Sequence, residues 1–247
     1  MLAKDYSSLK IGDVYSVNYG GTVTIIRIIN YDRIVIQHND NFKYTTTVSF
    51  HNLKNGECKN PYYPLVCGVG YLGVGSHLTY ENGRKTKTYN IWQGMLARCY
   101  GANRDKLYPT YANVTVDERW FNFQNFAEWY NNHPDFDKGY ELDKDLLKPG
   151  NTVYGPDTCC MVPKYINNLI CTQKSIPKSG ARGVTFTKNL YMVKGADRYL
   201  GYFPTLEDAK ERYTSFMKQY IRDKANEWKP LIQEDVYLAL IKYSENM

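Results

Sequence analysis

Between residues 10 and 60, apolar and polar residues alternate in short runs: DVYSVNYG, TVTIIRII, RIVIQH and YTTTVSF. Gly20-Gly21 and the stretch from Asn30 to Asp32 punctuate them. A period of two buries one face of a strand, and glycine or Asx pairs between such runs supply turns. The segment therefore predicts a small twisted β-sheet or barrel. From about residue 88 the period lengthens. In TYNIWQGMLARCY, Ile91, Met95, Arg98 and Cys99 recur at helical spacing with Trp92 beside them. In ERWFNFQNFAEWYNN, Trp120, Phe123, Phe126, Ala127 and Tyr130 do the same. These stripes predict two short helices whose aromatic side chains are core rather than a cofactor box.

After Ser179 the pattern is RGVTF, YMVK and RYLGYF, three strands, followed by an amphipathic run from Thr205. Leu206, Ala209, Tyr213, Phe216, Met217, Tyr220 and Ile221 form one stripe of that run, wide enough to cover a sheet. Thr205 with Asp208 supplies a capped start. A last helix is expected at roughly 231 to 243, after Pro230. Together the periods predict an α+β chain in three parts: a small N-terminal β domain (1–75), a central domain, helical and then a compact β-turn-α unit (76–172), and a C-terminal three-stranded sheet plus helix (173–247).

Composition narrows the classes. The chain has 247 residues, of which 43% are apolar and 15% aromatic, which is enough to bury a substantial core and too apolar for disorder. No run approaches a bilayer span, and the start MLAKDYSSLK lacks the apolar core of a signal peptide, so no membrane partner is expected and the cytoplasm is the expected location. The six cysteines show no CxxC spacing, which favours reduced, mostly buried thiols over zinc or a disulfide framework. The glycine-rich stretch CGVGYLGVGSH lacks the ending and context of a phosphate-binding loop, and a linker or turn is the simpler reading.

Net charge matters once it is located. Residues 172–229 carry twelve Lys/Arg against six Asp/Glu, whereas the rest of the chain has 19 of each. A basic module beside a neutral one points to a polyanion partner, with an ordinary solvated basic face as the alternative. The nucleic-acid reading requires that surplus to lie on one flat face.

The stretch RGVTFTKNLYMVKGADRYLGYFPTLEDAKERY resembles an APETALA2-type DNA-binding domain over about 45 residues. Arg182-Gly183-Val184, the segment Tyr199 to Phe203 and the capped start at Thr205 carry the likeness, with Tyr191 where the family usually has tryptophan. The resemblance implies a sheet laid in the major groove of double-stranded DNA. Arg182, Thr185, Lys188, Tyr191, Lys194 and Arg198 are then the expected contacts, to base edges or phosphate. The alternative is that some of these, Tyr191 above all, pack inward.

The middle of the chain, YNIWQGMLARCY, YANVTVDERWFNFQNFAEW and LDKDLL to NTVYGPDTCCMVPKYINNL, is similar to bacteriophage proteins of the HNH homing-endonuclease group. The preceding segment with KNGECKN and GVGYLG extends the likeness to most of the chain. Such a ββα-metal site needs a divalent ion on the scissile phosphate, a histidine base and an asparagine that orients it. The resemblance puts Asp143 at the metal aspartate and Lys144 at the histidine. Thr158 falls at the central asparagine, with Asn151 able to reach in from the loop, and Asn167 or Asn168 is the helix ligand. Mg²⁺ or Mn²⁺ would be the ion, held by Asp143, Asp145, Asn167 and Asn168.

A lysine with a pKa near ~10.4 is protonated at neutral pH and cannot readily take a proton from water. His133 is the one nearby histidine, at a place suited to a cap. Glu141, Asp143 and Asp145 share a face if the strand continues, which would make a carboxylate cluster, with paired surface charges as the alternative. Three functions compete: a metal-dependent DNA endonuclease or nickase, a DNA-binding protein that kept the scaffold and lost the base, or an inhibitor bound to a host protein through its aromatic surface.

Overall fold

The computed structural model describes residues 8–174 and 181–247. Val14–Ser16 (β1), Thr22–Asn30 (β2), Arg33–His38 (β3) and Thr45–Val48 (β4) form an antiparallel meander in chain order. Val23, Ile25, Ile34 and Ile36 are fully buried, each stabilising by about 1.5–3 kcal/mol. The run of adjacent isoleucines in β2 breaks strict alternation. A bulge between Ile25 and Arg27 turns Ile26 outward and returns Ile28 to the core beside Ile34. The helix Phe50–Lys54 (α1), capped by Ser49 Oγ, which accepts from the Asn52 amide at 3.2 Å, adds Leu53.

Tyr80–Glu81 (β5) and Arg84–Lys85 (β6) pair through an Asn82-Gly83 turn and lead into Lys87–Tyr100 (α2). The core face of α2 is Tyr89, Trp92, Met95, Leu96 and Cys99, so the predicted stripe is rotated by about one position and Ile91 is only half-buried. Trp92 Nε1 donates to the Trp120 carbonyl at 2.7 Å, which satisfies the indole inside the core. A Cβ on Gly70 would lie 2.3 Å from Leu96 Cδ1. The glycine-rich stretch is thus a loop pressed against α2. The short helix Arg104–Leu107 (α3) follows, then Phe123–Asn131 (α4), where Phe123, Phe126, Ala127 and Tyr130 are buried as the pattern predicted.

The chain groups into two compact units: the described residues of Met1–Ala112 with Glu118–Glu128, and Asn113–Asp117 with the described residues of Trp129–Met247. The sequence-level cuts at 75 and 172 fall inside the first and second unit respectively. In the second, Thr115–Val116 (β7) pairs in parallel with Val153–Tyr154 (β9). Glu141–Asp143 (β8) pairs antiparallel with Cys160–Val162 (β10), and Lys164–Lys174 (α5) follows. Val184–Thr187 (β11), Leu190–Gly195 (β12) and Arg198–Phe203 (β13) form an antiparallel sheet in chain order.

Leu206–Trp228 (α6) starts at Thr205, whose Oγ1 accepts from the Asp208 amide at 3.1 Å. Its first half packs on that sheet through Ala209 and Tyr213, and its second half places Ala225 among Val162, Ile166, Ile170, Val236 and Leu240. One long helix therefore ties the three-stranded sheet to β10 and α5. Glu234–Glu245 (α7) completes that second core. No helix among the described residues is long and apolar enough to cross a membrane.

Candidate functional site

The segment 141–174 is strand, loop, strand, helix, with Asp143 opposite Cys160 at the end of β8. Asp143 is buried, and its Oδ1 accepts from the Asp145 amide at 2.9 Å and the Leu146 amide at 2.6 Å. These bonds close a turn immediately after β8. Asp145 therefore leaves the strand, and the expected face of three alternating acids contracts to Glu141 and Asp143. Lys144 Nζ lies 3.2 Å from Asp145 Oδ2 and over the Tyr154 ring.

The remaining positions serve the loop. Asn151 Nδ2 donates to the carbonyls of Lys144 and Val153, both at 2.7 Å, and Thr158 Oγ1 donates to the Val153 carbonyl at 2.8 Å. Asn167 Nδ2 donates to Glu141 Oε2 at 2.7 Å. Asn168 is exposed, and as the next helix position it points about 100° away from Asn167. Among the described residues no three His, Cys, Asp or Glu side chains gather as a metal-binding group. Burial pushes the neighbouring Cys159 thiol up to about 12 and raises Cys160 as well, which disfavours their thiolates. Of the six cysteines, Cys58, Cys99, Cys159 and Cys160 are buried.

His133 caps a turn. Its Nδ1 accepts from the Asp135 amide at 3.2 Å, and burial lowers its pKa below the ordinary 6.5 despite the nearby Asp135 carboxylate. A lowered folded-state value means the unfolded chain binds the proton more readily. The histidine's contribution is therefore present above about pH 6.5 and lost as the pH falls through the lowered value. Urea midpoints of the second unit should drop between pH 7 and pH 5, and His133→Asn, which keeps an acceptor, should flatten that drop. An unchanged pH dependence in the variant would remove His133 as its source.

Register sorts the expected DNA contacts. Thr185 pairs with Met192, Met192 with Tyr202 and Lys194 with Tyr199, so these share the face of the β11–β13 sheet turned away from α6. Lys188 sits in the β11–β12 turn with φ +51°. Tyr191 pairs with Phe186 and Phe203 and packs with Val193 toward α6, so it is not on the outward face. Arg198 lies opposite Gly195, whose Cβ would meet Phe216 of α6, which places it on the helix side too. Arg182 lines a cavity with Lys210, Tyr213 and Lys242.

The basic surplus is correspondingly divided. Lys194 belongs to the outward sheet side and Lys188 is exposed in the β11–β12 turn, while Lys210, Lys218 and Arg222 line a groove beside Ser244 and Glu245 of α7. Lys178 lies outside the described residues. The expectation of a single flat cationic face is corrected, because Lys194 lies on the sheet, Lys210, Lys218 and Arg222 line the groove beside α7, and Lys224 lies over Tyr165 and Tyr220.

Tyr199 and Tyr202, 57% and 45% exposed with ring centroids 5.7 Å apart, are the residues the alternation rule missed. Three positions apart, they should point oppositely. A bulge at Val193/Lys194 brings them to one face. Gly201, at φ +125°, is the one sequence signal of that bulge.

Comparison of the chain with protein-family models, curated proteins and solved structures finds no match.

Proposed function

We propose that the chain binds double-stranded DNA through the outward face of the β11–β13 sheet alone, a narrower contact than the single cationic face the sequence reading required, and does not cut it. The observation that carries this reading is the sheet's asymmetry. One face is covered by α6, and the other holds Thr185, Lys194, Tyr199 and Tyr202 side by side, with Lys188 at the hairpin tip. Lysines can neutralise phosphate, and hydroxyls and aromatic rings can meet base edges and sugars. The resemblance of this module to APETALA2-type domains, and of 88–170 to phage HNH proteins, supports the same partner.

The donor set does not suit Mg²⁺ or Mn²⁺, which require carboxylate oxygens turned to the ion. Asp143 Oδ1 serves two backbone amides, Glu141 is bonded to Asn167, and Asp145 to the ammonium of Lys144, which would itself repel a divalent cation. Residues 141–174 contain no histidine to serve as base. The ββα segment is thus read as scaffold.

Gel shifts across a salt series test the proposal. Each phosphate neutralised contributes about −0.9 to the slope of log K against log salt, so Lys188 and Lys194 alone predict a slope of about −2. A slope of about −4 or steeper would bring the α6 lysines into the interface. A flat response, or no shift, would end the DNA reading and favour a protein partner on the exposed tyrosines. Supercoiled plasmid with Mg²⁺ or Mn²⁺ should stay intact. Nicked product that vanishes in Asp143→Asn, a change that keeps the turn's acceptor, would restore the nuclease.

A further inference from the structure

A cleft of about 370 Å³ opens in the N-terminal sheet unit, a volume in the range of small-ligand sites. Two aromatic pairs line it: Tyr19 with Tyr63 at 5.5 Å between centroids, and Phe42 stacked on Tyr62 at 4.5 Å. Among its described lining residues Asp40 alone carries a formal charge, and none is Lys or Arg. Asp40 is held rigidly. Its Oδ1 accepts from the amides of Phe42 and Lys43, and its Oδ2 accepts from Asn60 Nδ2 at 2.6 Å.

His38 also lines the cleft, and it is 3% exposed. The ring is bonded to the Lys59 backbone in a way that favours protonation, which identifies a carbonyl acceptor, yet burial outweighs this and lowers its pKa. A neutral ring that donates through one nitrogen keeps a lone pair on the other. That other atom, Nε2, is buried and has no hydrogen-bond partner among the described residues. An unmet acceptor inside a cleft is costly unless a ligand donor fills it.

We infer that this cleft binds a compact organic ammonium ion, a methylated amine that keeps an N–H. Aromatic faces attract a cation through their quadrupoles, the Asp40 carboxylate adds charge, and the N–H answers His38 Nε2. A nucleotide fits worse, since no cation meets its phosphate. This inference stands apart from the DNA reading, because it uses none of the same residues.

Calorimetric titration of the full chain with N-acetyl-Nε,Nε-dimethyl-lysine amide should show saturable binding, and the uncharged N-acetylnorleucine amide should bind at least about fivefold more weakly. Tyr19→Leu, at an exposed position that leaves the sheet core untouched, should weaken the charged probe by about fivefold, and Asp40→Asn should act in the same direction. Dimethylammonium chloride separates the sources: comparable binding identifies a free amine, and much weaker binding identifies a methylated lysine side chain. Equal affinity for norleucine amide, no binding of either amine, or binding of adenosine in their place would overturn the inference.

Discussion

Gly183→Ala should destabilise the second unit by roughly 3–5 kcal/mol, combining left-handed backbone strain with overpacking. Gly183 has φ +62°, and a Cβ there would sit 2.2 Å from the Lys194 carbonyl oxygen and 2.3 Å from the Tyr213 ring. The first neighbour is backbone and cannot swing aside. The same residue's carbonyl accepts from the Lys194 amide at 2.7 Å, so relieving the clash pulls on the bond that starts the sheet. Denaturant unfolding should show the loss as a lower midpoint, and DNA gel shifts should weaken in parallel because Lys194 and Thr185 lose their common face. An unchanged midpoint would mean that β11 and β12 are not paired as described.

Asp135→Ala should cost about 2–4 kcal/mol, the lower part of the range for breaking a buried ion pair, because Lys138 is 42% exposed and can return to water. Asp135 itself is fully buried. Lys138 Nζ lies 2.7 Å from its Oδ1, and Gln233 Nε2 donates to both carboxylate oxygens at 3.3 Å. Gln233 directly precedes α7, so the carboxylate holds the start of that helix to the turn after α4. Asp135→Asn keeps acceptors for Gln233 and should cost less than half as much, while Lys138→Met leaves the buried carboxylate without its cation and should cost about 3–5 kcal/mol. If the alanine variant melts like the parent, the carboxylate is not the joint described.

Much of the fold was legible because it depends on local period. The N-terminal alternation, the buried stripe of α4 and the capped, striped α6 all appear where the residues put them, since each needs only that apolar side chains recur on one face. The capping function of His133 was readable from its place before Pro134. The candidate segment was legible from its residues as a compact β-turn-α unit, to which the structure adds the strand Cys160–Val162, but not as chemistry. Whether Asp143 offers oxygens outward or spends them on the Asp145 and Leu146 amides depends on how tightly the chain turns after β8, and no residue pattern states that.

The sequence by itself determined the elements and the excess of positive charge after residue 172. Tertiary structure decided which way those charges face. A bulge in the β12–β13 pairing changes the parity of a strand whose residues otherwise obey a period of two, placing Tyr199 and Tyr202 together. α6 covers one sheet face with its apolar stripe and leaves Lys210, Lys218 and Arg222 to a groove beside α7, while Lys224 lies over the Tyr220 ring. The reason is that a period is local, while a face exists only relative to what packs against it.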